Sequence, residues 1–372
     1  MIRKITVKTA SESYQVQIGS GIFRDFLKTE RTIQNAGRAF LIIDENVYKL
    51  HAKHIERCLK QLEIPCSQYL LPQGEQSKSF AEWKKIMDFL LENGVKRTSP
   101  LIAIGGGVTG DVAGFAAASI LRGIPLFHIP TTLLAMVDSS IGGKTGINHE
   151  KGKNLIGSFY QPSAVIADTD FLSTLPDEEW INGLSEILKY AAIRNEGIFR
   201  DADIFLNRDK DYSNHPVIEP LIEKCVQVKA DIVAEDELEK GIRAYLNFGH
   251  TFAHALEKEA GYQTISHGEA VYAGMLAALY VSNKIGSELE EIRLERFAPL
   301  YNLDPSVHTF SIEQLIRNMS MDKKKTGKNH RLILLKEWQH PFIHETGNDA
   351  LLRDAWQYAL QTVNKPGKLK QK

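Results

Sequence analysis

Residues 101–111 read Leu101-Ile-Ala-Ile104-Gly-Gly-Gly107-Val-Thr-Gly110-Asp111, and a second apolar stretch, Val112 to Ile120, follows. The first run is apolar throughout, which suits a strand covered on both faces, as in a parallel sheet. The loop has the form G-x-G-x-x-G. Its glycines let backbone amides approach a pyrophosphate at the positive end of a helix. Alone the match is weak, because a tight glycine turn that binds nothing looks the same. The next apolar run, Ile124 to Ile129, ends in Pro130-Thr131-Thr132, where a standard dinucleotide unit carries an acidic ribose ligand. An acidic end occurs instead at Asp44, after Ala39 to Ile43. The sequence therefore predicts a nucleotide site with ribose and phosphate contacts on different strands from the usual order.

Around this stretch the first half alternates short strands with helical patterns. Tyr14-Gln-Val-Gln-Ile18 has period two and ends at Gly19-Ser20-Gly21, and Ala164 to Ala167 ends at Asp168. Phe80 to Leu91 is helical in pattern, giving α/β alternation. After Leu175 the spacing becomes three and four, over Trp180 to Arg194, Ile218 to Glu235, Thr251 to Ala260 and Gly268 to Lys284. Thr174-Leu-Pro-Asp177 offers the break. The expected organisation is a nucleotide-binding α/β domain over residues 1–175 and an all-α domain over 176–372. The basic tail from Lys365 is expected to be a solvated end.

The 372 residues carry 45 Lys plus Arg against 46 Asp plus Glu, so no basic surplus supports nucleic-acid binding. The three cysteines, Cys58, Cys66 and Cys225, lack zinc-finger spacing and read as reduced thiols. The first residues lack an apolar signal core, and no apolar run approaches membrane length. A cytoplasmic protein is expected. Composition excludes classes without selecting a function.

Chemistry is carried by two clusters. Asn247-Phe-Gly-His250-Thr-Phe-Ala-His254 places two histidines at i and i+4, and Ser266-His267-Gly-Glu269 opens a later helix. Glu186 lies one turn before Lys189. Glu186, His250 and His267 can form a two-histidine, one-carboxylate site with open positions for substrate or water. A lone histidine is more often a core or surface residue; three near helix starts make the ligand reading as good as the bland one. The second cluster is basic. Lys144 follows Asp138-Ser-Ser-Ile-Gly-Gly143, and Lys153 lies in Gly152-Lys-Asn154. Lysines in glycine-rich loops suit an anionic ligand better than a solvated face. Arg122, Lys229 and Arg243 stand at element ends.

Taken in order, Gly105 to Asp111, Arg122-Gly, Pro130-Thr-Thr132, Asp138 to Lys144, Gly152-Lys-Asn154, Glu186-Ile-Leu-Lys189, Leu246-Asn-Phe-Gly-His-Thr251 and His267-Gly-Glu269 resemble the 3-dehydroquinate synthases, a family of sugar-phosphate cyclases. The resemblance runs from about Ile42 to Lys325. It implies an NAD-binding α/β domain, a helical metal- and substrate-binding domain, and an active site in the cleft between them. It also implies tightly held NAD and a divalent metal, zinc or cobalt. The reaction implied converts 3-deoxy-D-arabino-heptulosonate 7-phosphate into 3-dehydroquinate and phosphate. Its stages are transient oxidation, phosphate elimination, reduction, ring opening and intramolecular aldol closure.

Carried over by motif, NAD contacts fall on Asp44, Asn46, Glu75, Lys78, Gly107, Val108, Thr109, Gly110, Asp111, Thr131, Thr132, Phe171, Leu172, Ser173 and Thr174, with Lys144 and Lys153 shared with the substrate. Metal ligands fall on Glu186, His250 and His267. Substrate contacts fall on Arg122, Asp138, Asn154, Lys189, Lys229, Arg243, Asn247 and His254. A lysine of the run Lys323-Lys324-Lys325 closes over the phosphate. Lys144, Lys189, Arg243, Asn247, His254 and Glu186 are the expected catalytic set, with His254 relaying a proton to a substrate hydroxyl. The resemblance implies a homodimer, without a motif that carries it. Alternatives are another cyclase such as 2-deoxy-scyllo-inosose synthase, a metal-dependent polyol dehydrogenase, or a regulatory protein on the same scaffold. Arg243-Ala-Tyr-Leu-Asn247 matches the family's Arg-x-x-Leu-Asn and favours a substrate with a carboxylate.

Overall fold

The structure is a computed structural model describing residues 2–207, 211–262, 264–320 and 329–364. Two compact units form, Met1–Glu179 with Ser213–Leu238, and Trp180–Tyr212 with Glu239–Lys372.

The first unit is built on seven strands: β1 (Arg3–Lys8), β2 (Ser13–Gly19), β3 (Ala39–Asp44), β4 (Cys66–Leu71), β5 (Leu101–Gly105), β6 (Leu126–Pro130) and, after a separate hairpin of β7 (Lys144–His149) and β8 (Gly152–Phe159), β9 (Ala164–Asp168). Their order is β1-β2-β9-β6-β5-β3-β4, parallel except for β1 against β2. The unbroken apolar runs have a simple cause. Leu41, Ile43, Ile102 and Ile104 pack into one core, while Phe40, Ile42, Leu101 and Ala103 pack into another on the opposite face. Both faces are covered, so alternation disappears.

From β3 the chain builds outward to β4, then returns to add β5 and β6 on the other side. The strand order therefore reverses between β3 and β5, where Ile43 pairs with Ile104. Ligands of open α/β sheets bind beyond the strand ends at such a switch point. Asp44 ends one of these strands and Gly105 the other.

The helix Ile218–Glu235, whose periodicity places it with the helical half in the sequence reading, packs instead on β1 and β2 of the first unit. Periodicity reports that a helix has one apolar face, not which layer it covers. Here Ile5, Val7, Val16 and Ile18 on the edge strands are buried, and Arg3 pairs with Glu223.

In the second unit the helices Asp177–Ile193 (from Trp180), His250–Glu259, His267–Lys284 and Asp349–Val363 dominate. One antiparallel hairpin, β10 (His330–Glu337) with β11 (His340–Thr346), is added to them. The His267 helix is the centre of this packing, against the His250 helix, the C-terminal helix and β10. Its start is fixed by a capping box in which Ser266 and Glu269 exchange hydrogen bonds with each other's backbone amides. No helix among the described residues is long and apolar enough to cross a membrane.

Candidate active site

Glu186 is fully buried midway along its helix, and His250 and His267 each open one. Glu186 Oε1 lies 3.5 Å from His250 Nε2 and 3.3 Å from His267 Nε2. The far side of each ring faces an acceptor. His250 Nδ1 is 3.2 Å from the Phe248 carbonyl, and His267 Nδ1 is 3.4 Å from Glu257 Oε1. In the neutral rings these acceptors would hold the proton on Nδ1 and leave each Nε2 lone pair, on the Glu186 side, open to a cation. All three ligand atoms lie within 4.8 Å of one another. Three electron-rich atoms converging in this way could share a cation. Two imidazoles and a carboxylate fit a divalent transition metal, with further positions open.

The electrostatics agree. Burial pushes the Glu186 carboxyl up, but the Lys189 ammonium and both histidines outweigh it and hold it well below the usual carboxylate range. Burial lowers His267, yet hydrogen bonds to Glu186 and Glu257 raise it to about 10. Positive charge is favoured at this point, and the Lys189 ammonium and the histidine protons supply it. His254 stands one turn beyond His250, exposed, with ring centroids 5.6 Å apart. It lies outside the three-residue ligand group.

At the sheet's switch point Gly106 opens the helix Gly107–Ser119, and Gly110 N donates to Gly106 O at 3.1 Å. The preceding amides have no helical partner and face outward from the helix end. Around them Thr109 Oγ1, Thr131 Oγ1 and Ser139 Oγ are buried without a hydrogen-bond partner. A Cβ on Gly107 would come 3.0 Å from Ser139 Oγ, so glycine lets the loop backbone sit close to that hydroxyl. Orphaned hydroxyls beside bare amides suit the oxygens of a dinucleotide. Asp44 Oδ1 accepts from Asn46 N and Val47 N at 2.9 and 3.0 Å, capping the next helix. Lys78 pairs with Asp111, whose carboxyl burial raises and the ammonium lowers, leaving it above its ordinary value. Glu75 Oε1 accepts from Asn148 Nδ2 at 2.7 Å. Phe171 to Thr174 form a tight turn opened by the Asp168 cap, and Thr174 Oγ1 is 2.6 Å from His51 Nε2.

Of the expected substrate residues, Lys229 Nζ donates to Asp138 Oδ1 at 2.7 Å and to its carbonyl at 2.9 Å. Asn154 N donates to Asn148 Oδ1 at 3.0 Å. Arg122 is exposed in a turn of positive φ (67°). Lys144 is exposed at the start of β7, and Lys153 is half-buried on β8. In the second unit Lys189 and Arg243 are buried, and Asn247 Nδ2 donates to Glu239 Oε1 at 2.7 Å. Lys323, Lys324 and Lys325 lie outside the described residues. Sequence reasoning missed Glu239 and Glu257, the carboxylates that orient Asn247 and His267. Glu257 carried a usable signal: His250, His254 and Glu257 fall at i, i+4 and i+7 on one helix face.

Comparison with known proteins extends these observations. The model of the 3-dehydroquinate synthase N-terminal region matches residues 68–182, and that of the C-terminal region matches 183–325. A 3-dehydroquinate synthase of Salinibacter ruber is 43% identical over 325 residues, 87% of this chain and 89% of that protein. One of Neisseria meningitidis is 40% identical over 363 residues, 95% and 98% of the two chains. Among solved structures, 2-epi-5-epi-valiolone synthase from Streptomyces hygroscopicus, with NAD+ and Zn2+ bound, superposes with TM-score 0.83 at 24% identity, covering 94% and 97%. A 2-deoxy-scyllo-inosose synthase with carbaglucose-6-phosphate, NAD+ and Co2+ gives 0.80 at 24%, covering 95% and 99%. The last two share the fold. At about 40% identity over nearly the whole length, with both family regions matched end to end, the chain belongs to the 3-dehydroquinate synthase family.

Proposed function

We propose that this enzyme converts 3-deoxy-D-arabino-heptulosonate 7-phosphate into 3-dehydroquinate and phosphate. The observation that carries this is the level of identity. Relatives at 38 to 43% identity over most of both chains are 3-dehydroquinate synthases, whereas the cyclases of other substrates stand at 24%. When bound, NAD+ supplies a transient hydride acceptor and the divalent metal, zinc or cobalt, supplies Lewis acidity.

The chain's own groups do the rest. Glu186, His250 and His267 hold the cation. Gly107 to Asp111, Thr131 and Thr132 hold the nucleotide phosphates and Asp44 its ribose, with Asn46, Glu75, Lys78 and Phe171 to Thr174 as further contacts. Arg243 takes the substrate carboxylate as a planar, bidentate partner, and Asn247 is oriented for a hydroxyl by Glu239. Arg122, Lys144, Lys153, Asn154 and Lys229 neutralise the phosphate and orient its oxygens, joined by Lys323 or Lys324. Lys189 keeps Glu186 ionised and donates to substrate oxygen, while His254 exchanges a proton with a substrate hydroxyl. Cysteines that form no described disulfide, Cys58 and Cys66, suit a cytoplasmic setting, and we place the enzyme there as a homodimer.

The test is turnover of the heptulosonate phosphate by purified protein with NAD+ and zinc or cobalt. Phosphate release without net NADH is expected. Phosphate release from glucose 6-phosphate instead, or net NADH from a simple polyol, would overturn the assignment in favour of an inosose synthase or a dehydrogenase.

A further inference from the structure

Next to Glu186, on the same helix, Ser185 is fully buried. Its Oγ lies 2.6 Å from the Gly268 carbonyl and 2.9 Å from the Tyr301 hydroxyl. A carbonyl has no proton to give, so Ser185 donates to Gly268 and the Tyr301 O–H donates to Ser185. One turn earlier, Asn182 Oδ1 accepts from Gly268 N at 2.6 Å. Both backbone polar groups of Gly268 are thus held by side chains of the Glu186 helix. The approach is very close, because a Cβ on Gly268 would stand 2.6 Å from Asn182 Cα. Tyr301 also contacts the His267 helix directly by stacking on Tyr272, with ring centroids 3.8 Å apart and planes 5° from parallel.

Gly268 directly follows His267, and Ser185 directly precedes Glu186. We infer that Ser185 and Tyr301 are positioning residues of the metal centre: the Tyr301–Ser185–Gly268 hydrogen-bond chain fixes the separation of Glu186 from His267, so that both would hold the same cation. This rests on the metal site proposed above. Groups beyond the ligands that orient them typically change metal affinity 10- to 100-fold when removed. A buried hydroxyl that locks two ligand-bearing helices acts in the same way.

The test compares Ser185→Ala, Tyr301→Phe, the double variant and His267→Ala, all loaded with cobalt. Affinity is read by competition with a chromogenic chelator, coordination by the visible Co2+ spectrum, and folding by thermal unfolding. Ser185→Ala is expected to weaken cobalt about 10-fold and shift the Co2+ bands. Tyr301→Phe, which keeps the stacked ring, moves both in the same direction by less, and the double variant matches Ser185→Ala because Tyr301 acts through Ser185. Wild-type affinity and spectrum in Ser185→Ala, with or without a loss of thermal stability, would overturn the inference, as would additive losses in the double variant. Retention of wild-type affinity by His267→Ala would instead bring down the metal site itself.

Discussion

Glu257 sits in the second unit with one carboxylate oxygen toward His267 Nδ1, and it is 3% exposed. A carboxylate there raises the basicity of the far nitrogen and fixes its direction. Glu257→Gln keeps the shape and removes the charge, so metal affinity is expected to fall about 10-fold in chelator competition. His250→Ala removes one of the three proposed ligands, and is expected to abolish stoichiometric metal binding and turnover while circular dichroism stays unchanged. His128 behaves differently. Burial lowers its pKa to about 4, so it is neutral in the folded protein at pH 7. Between that value and about 6.5 the unfolded chain binds the extra proton, and stability falls as pH falls through this window. The full effect is about 3 kcal/mol. Urea midpoints at pH 7 and pH 5 should show the loss, and His128→Gln should flatten it. The Glu186, His250 and His267 cluster was legible in the sequence because histidines near helix starts and a helical carboxylate suggest a shared cation, while the i, i+4 partner His254 falls outside it. Ser185 was not, since nothing in Leu184-Ser-Glu186 says that another helix passes within hydrogen-bonding distance.

Asp168 shows how much an element end can hang on one side chain. Fully buried at the end of β9, it accepts from Gly21 N at 2.9 Å, Phe23 N at 2.9 Å and Asp170 N at 3.1 Å. It therefore ties the start of the helix Ile22–Thr29 to the turn that carries Phe171 and Thr174. Asp168→Ala leaves buried amides unsatisfied and is expected to cost about 2 kcal/mol in urea unfolding, with NAD+ affinity falling alongside. In the first unit β3, β5, β6 and β9 could be read as unbroken apolar runs and β2 from its period of two, whereas β1, β4 and the β7–β8 hairpin, whose lysine-bearing segments read as loops, could not. The helix Ile218–Glu235 was equally visible as a helix but not as part of the sheet domain, since its apolar face fits either layer. The β10–β11 hairpin escaped notice although Leu332 to Leu335 is an unbroken buried apolar run, because so short a run fits a buried helix segment as well.

At the scale of the whole chain, a metal that binds only the folded form must stabilise it. Zinc or cobalt at 100 times its dissociation constant adds about 2.7 kcal/mol by linkage. The thermal midpoint should rise with metal, fall back with EDTA, and stay unmoved in His267→Ala. The expected division at residues 175 and 176 follows the change in sequence texture, but three-dimensional membership follows packing. The first unit takes back residues 213–238 after the chain has left it.

That return has a consequence during synthesis. The cover for the β1–β2 edge is encoded roughly two hundred residues after the strands it protects, and it leaves the ribosome last among the pieces of that unit. Translation from residue 179 to residue 238 takes roughly 3 to 12 seconds at 5–20 residues per second. For that interval the nascent sheet carries Ile5, Val7, Val16 and Ile18 with their partner helix still unmade. A gene cut between residues 175 and 176 would make the interval permanent, and its N-terminal product should aggregate rather than fold.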